Sequence, residues 1–105
     1  MDYSKMSDGE INRHVAIALG VKPRKTICFI RYEDSEDIWP KYCNNPADAW
    51  PIILSNRIRM LWDCSEDANS EWWNAVDQFD ECRIQYQSNP LRAAMIVFLM
   101  MQEAK

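Results

Sequence analysis

The chain has 105 residues, 12 Lys and Arg against 16 Asp and Glu, a formal charge of −4, 48% hydrophobic and 27% charged residues. That length and apolar content describe one globular domain spanning 1–105, too short for a second domain and too apolar for a disordered tail. The acidic balance excludes broad, salt-driven binding to nucleic acid, which needs a cationic surface to displace counterions.

The first five residues are polar, and the longest apolar run, 93–101, is far shorter than the roughly 20 residues of a membrane span. A cytoplasmic protein without membrane contact is therefore expected, with its cysteines reduced. Cys28, Cys43, Cys64 and Cys82 are scattered, with no paired spacing of a zinc site, so neither metal nor cofactor is expected. Gly9 and Gly20 are the only glycines, which excludes a glycine-rich phosphate loop.

Ser7-Asp8-Gly9-Glu10 is a capping box, Ile11, Val15, Ala18 and Leu19 recur at helical spacing, and Gly20 supplies a left-handed stop. A helix over 8–19 follows. His14 lies beside its apolar stripe and reads as a surface or core histidine, since no Ser or Cys motif accompanies it. The β-branched and aromatic run 26–32 predicts a strand buried on both faces. Lys22, Arg24 and Lys25 before it are nearly cancelled by the acidic run 33–37.

The irregular stretch 39–51 is the least ordinary part of the chain, because loops of about 12 residues or more inside compact domains are often functional. Taken singly, Asn45 reads as a helix cap with Pro46 at the first helical position and Asp48 at the third, while Trp39 and Trp50 plug the core. Taken together, Trp39, Tyr42, Asn44, Asn45, Asp48 and Trp50 combine amides, a carboxylate and rings suited to binding a planar or polar ligand. A further short helical turn is expected over 51–56. Beyond it Ile58, Met60 and Trp62 alternate with Arg57 and Arg59, which predicts a strand over 57–62 with both arginines on its outer face, able to grip an anion.

The stretch 63–71 imitates the start of a calcium loop but has Ala68 in place of the turning glycine and Asn74 in place of the bidentate Glu, so it reads as a polar connection. Strands are predicted over 72–77 and 82–87 from alternation. Asn89 can cap and Pro90 can open a last helix whose residues 91–101 are apolar nearly all round. Such a helix is buried on every side, by its own domain or by a second copy of the chain in a homodimer.

Three blocks carry a family resemblance: the opening Met1-Asp2-Tyr3-Ser4-Lys5-Met6-Ser7-Asp8 with Glu10-Ile11-Asn12, the centre 43–53, and the end 89–101. Together they resemble the NinX family of lambdoid bacteriophages. The resemblance implies a small accessory phage protein made inside an infected bacterium, from a gene region that also holds recombination and antitermination functions. It carries over no catalytic residue. The Pro51-Ile52-Ile53 element and the Pro90-Leu91-Arg92-Ala93-Ala94-Met95 helix also look like those of a wider set of phage domains with an α-β-α sandwich.

The combined expectation is an α+β domain, a mainly antiparallel sheet of about four strands with the N-terminal and C-terminal helices packed on it. Its expected role is non-enzymatic, binding a host protein or a small polar ligand through 39–50. The alternative is a nucleic-acid accessory role in phage recombination or replication through Lys22, Arg24, Lys25, Arg57 and Arg59. A hydrolase using Asp48 with His14 or Cys43 ranks last, for want of nucleophile–base spacing.

Overall fold

The computed structural model describes residues 2–25 and 37–105. A 3-10 turn over Tyr3–Lys5 leads into α1 (Asp8–Leu19), followed by β1 (Arg24–Lys25), β2 (Asp37–Ile38), α2 (Pro46–Asn56), β3 (Arg59–Cys64), β4 (Glu71–Val76), β5 (Arg83–Gln87) and α3 (Pro90–Glu103). The expected strand over 26–32 lies outside the described residues.

The helix ends follow from their capping chemistry. Ser7 Oγ accepts the Glu10 N–H at 3.1 Å, and Gly20 closes α1 at φ +74°, where a side chain would be strained. Asn45 and Asn89 cap α2 and α3, each with proline at the first helical position, where the missing N–H has no helical partner to lose. α2 is one continuous helix through Pro51 rather than a cap turn followed by a separate short turn. Pro51 has no N–H for the Ala47 carbonyl, and both residues are exposed, so water can replace that bond.

Among the described residues the main sheet is antiparallel with order β3-β4-β5, three strands where the sequence predicts about four; β1 and β2 form a separate two-residue ladder. β3 also begins two residues later than the alternation predicts. Arg57 is the left-handed cap of α2 at φ +53°, so it is not a strand residue and shares no strand face with Arg59. The last strand carries one extra residue around Tyr86, whose φ is +62°, and Asn74 Oδ1 takes the Tyr86 N–H that the ladder loses.

α3 lies on one face of this sheet and against α1 and α2 on its other side. Its residues 93–99 are all buried, so the apolar circumference of that stretch is covered within one chain. Ile11, Val15, Ile52, Ile53 and Ala75 pack in the same core, together with Tyr42 and Cys43. The opposite face of the sheet carries Arg59, Leu61, Asp63, Trp72 and Arg83 and has no helix over it among the described residues.

Candidate functional site

The stretch 39–51 divides into a clasp and a groove. At the clasp, the Cys43 peptide is gripped from both sides: its N–H donates to Asn12 Oδ1 on α1 at 2.9 Å, and its carbonyl accepts from Asn89 Nδ2 at 2.7 Å. Asn44 reaches both helices as well, donating to Asp8 and accepting from Asn89, each at 3.4 Å. Below it Arg92, with 12% of its side chain exposed, donates to Asp8 Oδ1 at 2.7 Å, Gln87 Oε1 at 3.0 Å, and the carbonyls of Ser4 and Met6 at 3.1 and 2.6 Å. A guanidinium serves here because its planar fork can donate in several directions at once. The network fixes where the chain leaves Cys43 relative to α1 and α3.

Inside the clasp, burial pushes the Cys43 thiol up to about 12, with the Asp8 charge raising it further and Arg92 opposing. At neutral pH it is a protonated, poorly reactive sulfhydryl rather than a nucleophile. The Cys82 thiol is likewise raised, by burial and then by the charges of Asp77 and Glu81.

The groove lies on the outer side of α2. The 41–44 turn folds back so that the Asp48 carboxylate accepts the Lys41 N–H at 3.2 Å, and Asn45 closes the turn by donating to the Lys41 carbonyl at 2.8 Å. This brings Tyr42 beside Asp48; burial, and then the charge of Asp48, raises the phenol above its ordinary value. Leu19, Val21 and Pro40 form one wall, and Ala47, Pro51 and Ser55 the other, around about 550 Å³. Ala47, Pro51 and Leu54 fall at i, i+4 and i+7, so the apolar surface continues over the rim to Leu54, 58% exposed, and Trp50, 50% exposed. The polar groups on this surface include the Asp48 carboxylate and the Ala47 carbonyl that Pro51 leaves without a helical donor.

The expected site residues are thus dispersed. Tyr42 and Asp48 line the groove and Trp50 flanks it, while Trp39 is half-buried against the core. Asn44 and Asn45 are structural, the first in the clasp and the second as a helix cap. Arg57 is exposed at the end of α2, and Arg59 donates to Asp80 Oδ1 at 2.8 Å and the Asp77 carbonyl at 3.4 Å. Its neighbour across that carboxylate is Arg83, 3.7 Å from Asp80, not Arg57. The helical spacing assigns Leu19 to the apolar stripe of α1, yet it is 42% exposed and lines the groove, while Val21 and Leu54, 38% and 58% exposed, carry no local pattern that marks them. The polar connection between β3 and β4 is closed by a Ser65 N–H to Ser70 carbonyl bond at 2.9 Å, with the Asp67 carboxylate capping Asn69.

Comparison with known proteins gives one result, and it covers nearly the whole chain. The family described as Bacteriophage P22, NinX matches residues 2–102. The chain belongs to the NinX family. The match therefore includes the clasp, the groove and the whole sheet of this NinX chain. No curated protein and no solved structure matches it. Among the described residues, no helix of this family member is long and apolar enough to cross a membrane, and no three His, Cys, Asp or Glu side chains are grouped to hold a metal ion.

Proposed function

We propose that this NinX-family chain is a non-enzymatic phage accessory protein that binds a host protein in the cytoplasm of the infected bacterium, through the groove along α2. The observation that carries the reading is the apolar surface running from Leu19 and Val21 across Ala47 and Pro51 to Leu54. Large apolar side chains left open on one continuous surface are the usual mark of a protein-docking site. The fitting partner is a protein segment with an apolar anchor and an adjacent hydrogen-bond donor. The anchor fills the groove, and the donor meets the Asp48 carboxylate or the Ala47 carbonyl.

A small polar ligand fits less well, because the amides expected to recognise it, Asn44 and Asn45, are committed to the clasp and the cap. Nucleic acid is weaker on the same grounds. Arg59 and Arg83 share the Asp80 carboxylate, so their charges are partly offset where a phosphate would bind.

Leu54→Glu places a charge on the groove rim at an exposed position and leaves the core untouched. Capture from infected-cell lysate on the native chain is expected to retain a host protein that the Leu54→Glu chain, with an unchanged thermal midpoint, fails to retain. Equal retention by both chains, or none by the native chain, contradicts the proposal.

A further inference from the structure

Among the described residues, β3 and β5 are the two edges of the sheet, and they are guarded differently. The β5 edge is interrupted by the bulge at Tyr86, whose left-handed backbone breaks the line of pairing groups. β3 runs in unbroken register with β4 over six residues, from Arg59↔Val76 to Cys64↔Glu71, with no proline, bulge or positive φ. Among the described residues nothing pairs with its other side. Such an edge, long, regular and carrying exposed Leu61 and Trp62, is a template for another strand.

The hydrogen-bond phase shows which groups are offered. Ser65 donates to the Ser70 carbonyl, so Ser65, Asp63, Leu61 and Arg59 turn their peptide groups toward β4. Met60, Trp62 and Cys64 turn theirs outward. In keeping with this, the Cys64 N–H points away from β4 and is taken by the Asp63 carboxylate at 2.8 Å.

We propose that the outer edge of β3 pairs antiparallel with β3 of a second copy of this chain, in register about Leu61. Three features of Arg59-Met60-Leu61-Trp62-Asp63 make the strand complementary to itself in that register. Arg59 lies opposite the Asp63 of the second copy, twice, on the open face of the sheet, where opposite charges face each other across a pair. Met60 and Trp62, whose peptide groups point outward, lie opposite each other and exchange backbone hydrogen bonds, twice. Leu61 meets Leu61 on the two-fold axis. Shifting the register by two residues instead sets Leu61 opposite Asp63 and removes the charge pairing. The result is a continuous six-stranded sheet, an isologous dimer that leaves the groove along α2 open.

The contact is short, so association belongs to the micromolar range of small interfaces. Sedimentation equilibrium from about 10 to about 500 µM is expected to show the mass rising from 12.4 kDa toward twice that value. Asp63→Lys sets Lys against Arg59, and Arg59→Glu sets Glu against Asp63. Each variant alone is expected to weaken dimerisation at least about tenfold, and their equimolar mixture to restore it, because every cross pair is then complementary. Arg59 also holds Asp80, so Leu61→Cys gives an independent reading: mild oxidation is expected to link two copies through position 61, while the native chain with its Cys64 gives no such product. A mass of 12.4 kDa at every concentration overturns the proposal. So does a dimer that both single variants leave intact.

Discussion

Arg92 is the side chain on which the N-terminal segment, α1 and the start of α3 converge, since four of its bonds go to Ser4, Met6, Asp8 and Gln87. Lysine keeps the charge but not the fork, so Arg92→Lys is expected to lower unfolding free energy by about 2 to 3 kcal/mol in urea denaturation. Cys43 and Cys64 give a second contrast. The thiol of Cys43 is buried and raised to about 12, whereas Cys64 is half-buried. Alkylation at pH 8 is expected to modify Cys64 and spare Cys43 in the folded chain. The same burial sets a pH dependence: Cys43 rises from 9.0 and Tyr3, buried and donating to Glu103 at 2.6 Å, rises from 10.0 to about 12. Both groups ionise more readily when unfolded. Their contribution is complete below about pH 9 and is lost as pH climbs toward 12, so the thermal midpoint is expected to fall steadily over that interval.

At the scale of elements, what was legible in the sequence was what local chemistry decides. Ser7 with Gly20, and Asn89 with Pro90, mark α1 and α3 because caps and stops act within a few residues. Gly20→Ala is expected to cost about 1 kcal/mol in thermal unfolding. No atom within 4 Å opposes the added methyl, so the cost is that of holding φ at +74°. Where competing signals meet, the local pattern misleads. Arg57 continues the strand alternation, yet the left-handed turn that ends α2 takes it, and β3 starts only at Arg59. Trp62 sits on the inner side of the alternation but is 54% exposed, because covering a sheet face depends on where a helix ends, which alternation does not encode. The site was half legible for the same reason. Tyr42 and Asp48 lie in a stretch whose composition stands out, whereas Leu19 and Val21, at the end of α1 and just after it, reach them only through the tertiary fold.

Across the whole molecule, the clasp and the groove perform different tasks with neighbouring residues. The clasp uses the amides of Asn12, Asn44 and Asn89 with Arg92 to lock 41–45 to two helices, and this rigid support fixes Tyr42 and Asp48 where they line the groove. A preformed surface loses little conformational freedom on binding. The dimer through β3 uses a separate edge, so the two surfaces can be altered independently. The most direct measurement places a photo-crosslinking amino acid at position 54 and, as a control, at exposed position 78 beyond β4, and irradiates infected cells. A discrete adduct with one host protein from position 54, absent from position 78 and abolished by Ala47→Arg in the groove, is the predicted result. No adduct from position 54, or the same adducts from both positions, would contradict a docking role for the α2 groove.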